Sequence, residues 1–282
     1  MHNARSWKEG YINVDSVRGH YLEAGDGETL VLVHGGLVWC CAELTYGSVI
    51  GPLSRKMHVV AVDTVGYGLT EGGGFEIWQA ASQGDFLIRF LQTLGTAVHL
   101  AGNSHGGWLV QYVAHEAPEL VKRIVIINSL NGTSLIPVDY RLPLEPEECP
   151  SEEDVREELL AFYFDRRLVT SARVKRTHEY TVRNHEFARA RRTAIGSTPA
   201  AWNRNLLYRG KHISECASEL RMPVLLTWSR ENRGASPTDA LAFYGRISDV
   251  EMHVFANAGH HVMTEHLERW SSVVTDFLLS VR

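Results

Sequence analysis

Gly102-Asn103-Ser104-His105-Gly106-Gly107 is the stretch on which the reading of this chain turns. The apolar run Val98-His99-Leu100-Ala101 precedes it, and a helix-like stretch, Trp108-Leu109-Val110-Gln111-Tyr112-Val113-Ala114, follows. In a strand, Gly-x-Ser-x-Gly, helix arrangement the serine occupies a strained turn, and small neighbours let the backbone approach a substrate. Ser104 is thereby expected at the top of a sheet and at a helix N-terminus, where developing negative charge is stabilised. The bland alternative is a Gly-rich turn with an incidental serine, and the flanking pattern counts against it.

Strand and helix signals alternate around this turn. Tyr11-Ile12-Asn13-Val14 and His20-Tyr21-Leu22-Glu23, about a turn at Gly19, predict an opening hairpin. Leu30-Val31-Leu32-Val33, His58-Val59-Val60-Ala61-Val62, Val98 to Ala101 and Ile124-Val125-Ile126-Ile127 are continuous apolar runs. Such runs mark strands covered on both faces in a parallel sheet. Phe86, Leu87, Phe90, Leu91 and Leu94 make a helical stripe ended by Gly95. From about Thr133 to His212 the strand signals cease and the chain becomes charged and helix-prone. It passes from Pro137, Pro143, Pro146 and Pro150 into Ser151-Glu152-Glu153-Asp154, a helix start. Sheet signals resume with Pro223-Val224-Leu225-Leu226-Thr227-Trp228 and Glu251-Met252-His253-Val254-Phe255. Leu267, Trp270, Val273, Val274, Phe277 and Leu278 mark a closing amphipathic helix. The pattern predicts an α/β fold with a mostly parallel, doubly wound core from residues 1–132 and 213–282. Residues 133–212 form an inserted helical cap, or lid.

The 282 residues are 44% hydrophobic and 22% charged, which suits a compact fold with a sizeable core. A net charge of −5 speaks against a nucleic-acid binder or a membrane-surface protein. Cys40, Cys41, Cys149 and Cys216 have no metal-ligand spacing and read as reduced thiols. Met1 to Gly10 lacks an apolar signal core, and no run approaches membrane-spanning length. A cytoplasmic protein without a metal is expected.

A serine hydroxyl is a weak nucleophile and needs a base. Among 14 histidines, His260 stands out. It follows Gly259 in the loop between the strand ending at Phe255 and the last helix, with His261 as a neighbour lining the pocket. Serine early and histidine late is the order of the α/β-hydrolase fold. The oxyanion hole needs two backbone N–H groups. One is expected from His105, directly after the nucleophile. The other is expected from His34-Gly35-Gly36-Leu37, with Gly36 ahead of Leu37, while the His34 side chain braces the loop. The triad acid belongs in Ser229-Arg230-Glu231-Asn232-Arg233, and there the position carries Asn232, which accepts a hydrogen bond but brings no charge.

Together these stretches resemble the meta-cleavage product hydrolases, α/β hydrolases that cleave a carbon–carbon bond in 2-hydroxy-6-oxohexa-2,4-dienoates from aromatic ring fission. The resemblance runs through His34-Gly35-Gly36, Val62-Asp63-Thr64-Val65-Gly66-Tyr67-Gly68, Gly102 to Gly107, Trp228 to Arg233 and Ala258-Gly259-His260. Asn103 before the nucleophile is more particular to that family than Gly-x-Ser-x-Gly, whereas the Asp63 segment marks the fold in general and reads as structural. The chain departs from the pattern in three places: Gly36-Leu37-Val38-Trp39 replaces a Gly/Pro-rich loop, His261 replaces a tryptophan, and Asn232 replaces the aspartate. The resemblance implies that Gly35, Asn103, His261 and a cap arginine meet the substrate. Arg176 lies nearest to that arginine by spacing and Arg173 is an alternative, but a slip of one residue would put Thr177 there. Trp202 is implied as a cap aromatic over the substrate.

Three readings of the missing acid stay open. Asn232 is an introduced substitution that traps a complex, or Glu231 or Asp239 serves instead, or the triad is naturally weak. The resemblance implies a hydrolase of aromatic catabolism acting on a small-molecule dienoate, without cofactor, and possible as a homo-oligomer. In it His260 assists ketonisation, and Ser104 or a water it orients attacks the 6-keto carbon. A carboxylesterase or lactonase on the same fold is one alternative. A ligand-binding receptor or pseudoenzyme with a weakened triad is the other.

Overall fold

The computed structural model describes residues 7–73, 79–129, 148–196, 198–234 and 236–281. Strands β1 (Lys8–Val14) and β2 (Val17–Ala24) form the opening hairpin. Its turn is Asp15-Ser16 rather than Gly19. Asp15 takes φ 52, a left-handed conformation that aspartate tolerates. Gly19 sits inside β2 opposite Ile12, where a Cβ would lie 3.1 Å from the Phe86 ring.

The chain then alternates through β3 (Thr29–Val33), α1 (Ala42–Ser54), β4 (His58–Val62), α2 (Ala80–Thr93), β5 (Val98–Asn103), α3 (His105–Glu116) and β6 (Val121–Ile127). After the intervening segment come β9 (Val224–Ser229), α7 (Pro237–Tyr244), β10 (Val250–Phe255), α8 (Val262–Glu265) and α9 (Leu267–Leu279). The main sheet runs β1-β2-β4-β3-β5-β6-β9-β10, parallel from β4 to β10. The apolar runs are buried on both sides. Phe86, Phe90, Leu109 and Phe243 cover one face, and Tyr46, Ile50, Trp270 and Val274 cover the other.

β6 and β9 are neighbours in space. Between them in sequence lie α4 (Glu152–Phe162), α5 (Ser171–Ile195), α6 (Pro199–Asn205) and a small antiparallel pair, β7 (Leu207–Tyr208) with β8 (Lys211–His212). Strands of two residues leave no hydrophobic run, so the sequence carries no sign of that pair. Its turn uses Arg209 at φ 50 and Gly210 at φ 75, the primed hairpin geometry. The expected cap start near residue 133 lies outside the described residues. Ser151 caps α4 as its sequence indicates, accepting from Asp154 N at 3.2 Å while Asp154 Oδ2 accepts from Ser151 N at 2.8 Å. Val155, Leu159, Tyr163, Val174 and Tyr180 pack on Val38, Trp39 and Cys40, so these helices sit over the loop after β3. Among the described residues no helix is long and apolar enough to cross a membrane.

Asp63, at the end of β4, is buried and accepts from Ala42 N at 2.6 Å, Leu69 N at 2.8 Å and His20 Nδ1 at 2.8 Å. One carboxylate thus ties α1, the loop after β4 and the hairpin together. Asp63→Ala is expected to cost about 3–5 kcal/mol of stability, because it strands buried donors. Urea unfolding measures this, and a loss below about 1 kcal/mol would overturn the structural role.

Candidate active site

The catalytic candidates all follow the C-terminal ends of parallel strands, where α/β sheets place ligands. Ser104 follows β5 with φ 55 and ψ −119, the strained elbow expected from its glycine neighbours. Those glycines are required by close approach. A Cβ at Gly102 would lie 2.1 Å from Gly106 O, and one at Gly106 would lie 2.1 Å from Val33 O. The Ser104 carbonyl and amide are anchored by Ser129 Oγ at 2.7 Å and Ile127 O at 2.9 Å. The side-chain hydroxyl makes no hydrogen bond to a described residue. Catalytic contacts commonly close only around a substrate.

His260 follows β10 and is buried, its amide donating to Phe162 O at 2.7 Å. Its Nδ1 meets Asn232 Oδ1 at 3.2 Å, so the residue expected at the third triad position is in contact with the expected base. An amide oxygen can only accept, so Nδ1 carries the proton and Nε2 is left as the basic nitrogen. Burial without a counter-charge pushes the His260 pKa down to about 4. Asn232 Oδ1 also accepts from Gly234 N at 3.2 Å, whereas the buried Nδ2 has no partner among the described residues. That site supplies donors and no acceptor, an environment suited to a carboxylate.

Glu231 is engaged with other partners. Its Oε1 accepts from Arg230 Nε at 2.8 Å and its Oε2 from Ala258 N at 3.2 Å, which braces the His260 loop from outside. The Asp239 side chain lies outside the described residues.

The oxyanion loop is pinned from below. His34 Nε2 accepts from Thr64 N at 3.1 Å, so Nδ1 carries the proton and donates to Gly35 O at 2.7 Å. The buried His34 is kept neutral and braces the loop. Gly35 lies against the nucleophile, since a Cβ on it would sit 3.4 Å from Ser104 Cβ. A Cβ on Gly36 would sit 3.0 Å from His105 Cβ. The Gly36 and Leu37 N–H groups donate to no described residue. Gly36 is buried, and an orphaned buried N–H is rare enough to mark a place for a ligand oxygen. His105 opens α3, its Nε2 meeting Gln83 Oε1 at 2.7 Å, and burial holds its pKa at about 3. Its ring is therefore neutral, and the helix N-terminus beside Ser104 carries the positive end of the dipole.

The substrate-binding expectations divide. Asn103 is buried, and its Nδ2 donates to Ile127 O at 3.3 Å and His260 O at 3.4 Å. It ties the His260 loop to the end of β6. His261 is buried between Tyr163, stacked at 5.0 Å, and Trp39 at 5.7 Å, with both ring nitrogens unpartnered among the described residues.

Arg176 pairs with Glu43 at 2.6 Å and Glu179 at 2.7 Å. The buried line of α5 instead reads Val174, Thr177, Tyr180, Thr181, Asn184, Ala188 and Arg191. The adjacent Thr177 is thus the inward residue, since successive helical positions diverge by about 100°. Arg173 donates to Tyr163 Oη and lies over that ring. The Trp202 side chain lies outside the described residues.

Sequence reasoning missed Tyr67, Glu158 and Arg191. Arg191 is buried against Tyr67 and Gly36. Glu158 takes the Trp39 indole N–H at 2.8 Å, and burial raises its pKa to about 7. Only the helical spacing of α5 could have pointed to Arg191.

A strained serine, a buried histidine and loop amides without a partner among the described residues lie at the C-terminal ends of the parallel strands, an arrangement that suits acyl-transfer chemistry. Residues 30–272 match the alpha/beta hydrolase family, and the chain belongs to it. Among curated relatives, the 2-hydroxy-6-oxo-6-phenylhexa-2,4-dienoate hydrolase of Burkholderia cepacia is 25% identical over 273 residues, 94% of this chain and 92% of its own. The 2-hydroxymuconate semialdehyde hydrolase of Pseudomonas sp. strain CF600 is 27% identical, covering 93% of this chain and 90% of its own. A crystal structure of a variant of the meta-cleavage product hydrolase CumD superposes with TM-score 0.85 at 24% identity, covering 95% of this chain and 97% of its own.

Proposed function

We propose that this chain hydrolyses a carbon–carbon bond in a 2-hydroxy-6-oxo-dienoate. The observation that carries the hydrolytic part is Ser104 on its strained elbow near the buried Gly36 N–H, which has no partner among the described residues. The substrate class follows from the activities named for the relatives that align along nearly the whole chain.

In this reading His260 Nε2 moves a proton as the 2-hydroxydienoate becomes its keto form. Ser104 Oγ, or a water it orients, then adds to the C6 carbonyl. Its proton passes to His260, and the N–H groups of His105, Gly36 and Leu37 are the donors available to the oxyanion. Collapse breaks C5–C6 and releases a 2-hydroxypentadienoate; the carboxylic acid forms directly where water is the nucleophile, or when water cleaves the acyl ester on Ser104 where the serine is. Water is the second reactant. The uncharged Asn232 leaves the imidazolium without a counter-ion, which favours a second reading: a protein that binds the dienoate and turns it over slowly.

A yellow 6-phenyl dienoate followed in a stopped-flow cell tests the proposal. Bleaching with release of benzoate is the expected result. A shifted band that persists would favour the slow binder. An unchanged spectrum would overturn the dienoate reading and direct the search to aryl esters.

A further inference from the structure

The loop that lines the oxyanion hole is held both from the core and from α5. From the core, His34 Nδ1 grips the Gly35 carbonyl at 2.7 Å. From α5, Arg191 Nη2 donates to the Gly36 carbonyl at 3.2 Å, and from the loop after β4 Tyr67 Oη donates to the same oxygen at 2.9 Å. Arg191 Nη1 donates in turn to Tyr67 Oη, and the guanidinium lies 5.6 Å from the Tyr67 ring and 5.8 Å from the Phe187 ring.

A trans peptide is planar, with its C=O and N–H pointing in opposite directions. Fixing the Gly35 carbonyl therefore aims the Gly36 N–H, and fixing the Gly36 carbonyl aims the Leu37 N–H. Both of these N–H groups lack a partner among the described residues, and the loop lies against Ser104 and His105. A chain of donors ending on a carbonyl also polarises that peptide and strengthens its N–H as a donor.

We infer that Arg191 is a positioning residue that acts through Tyr67 and the Gly36 carbonyl to set the oxyanion hole, so that the hole is complete only when α5 is seated. The inference rests on the hydrolase reading of Ser104 but not on the identity of the substrate. A buried guanidinium is costly unless its donors are used, and here they are used on the loop beside the nucleophile.

Phenylboronic acid provides the test, because it adds to a reactive serine as a tetrahedral oxyanion whatever the natural substrate. Arg191→Met is expected to weaken its binding about 10- to 100-fold, somewhat less than removal of a hole donor outright. Its kcat should fall in parallel on whichever substrate the unaltered enzyme cleaves, with KM within about threefold. Tyr67→Phe, which keeps the ring, should lose less in the same direction, and Arg191→Lys should restore part of the loss. These milder variants keep the test open if Arg191→Met folds poorly.

Unchanged boronate affinity in all the variants would overturn the inference, as would kcat losses that only track a falling melting temperature. Failure of the unaltered protein to bind the boronate would overturn it too, because the hole itself would be absent. Boronate binding that weakens in Arg191→Met, in a protein that cleaves no dienoate, would sustain the inference and reject only the dienoate substrate.

Discussion

Ser104→Ala is expected to lower kcat by about two to four orders of magnitude while leaving substrate binding intact. With a complete triad the serine is worth roughly six orders. An uncharged third member lowers the starting rate by several of these, so less remains to lose. The oxyanion N–H groups and the pocket survive the substitution, because Ser104 contributes its backbone, and not its hydroxyl, to the surrounding hydrogen bonds. The dienoate should therefore still bind and give a lasting spectral shift without fission products. Stopped-flow absorbance and product analysis read both parts. A variant that retains a tenth of the activity would exclude Ser104 from the chemistry, whether as nucleophile or as the group that orients water.

Asn232→Asp acts in the opposite direction, and its effect is expected to be of similar size. His260 now accepts a proton with no negative charge near Nδ1, and burial alone holds its pKa at about 4. A base that weak gains little by taking a serine proton. A carboxylate at 3.2 Å would stabilise the imidazolium and raise that pKa. By analogy with triads in which the reverse change costs about four orders, kcat should rise about 10²- to 10⁴-fold.

The pH profile carries the sign. The base works only unprotonated, so activity falls as pH drops through the His260 pKa. In the present chain that acid limb lies near 4. In the Asn232→Asp variant it should move upward, toward the ordinary histidine range near 6.5. A faster enzyme with an unmoved limb would mean that the new carboxylate acts through loop geometry instead of charge. No gain in rate would leave the slow-binder reading in place.

Much of this site was legible in the chain because it is built locally. Ser104, Gly36, Asn232 and His260 each sit within a few residues of the end of an apolar parallel strand, and strand ends can be read from hydrophobic runs and glycines. The hairpin turn was less legible: Asp15 supplied the left-handed residue, while Gly19 was used to admit Phe86. Glu231 and Asn232 show a similar limit, since adjacent loop residues share a sequence context but took different directions.

The cap marks where sequence stops being sufficient. The inward line of α5 is largely polar (Thr177, Thr181, Asn184 and Arg191), so it leaves almost no hydrophobic period to detect. One residue of slip separates Arg176, held by Glu43, from the buried Thr177, and spacing alone cannot resolve a helical rotation of that size.

By itself the sequence determined the alternating architecture, the nucleophile elbow and the absence of a charged residue at the triad's third position, because these are properties of short segments. Tertiary structure alone decided that Asn232 meets His260, that Asn103 holds the histidine loop, and that Arg191 reaches the Gly36 carbonyl. Each of those contacts joins residues far apart in the chain, and a polar side chain shows its partner only when the fold has brought the two together.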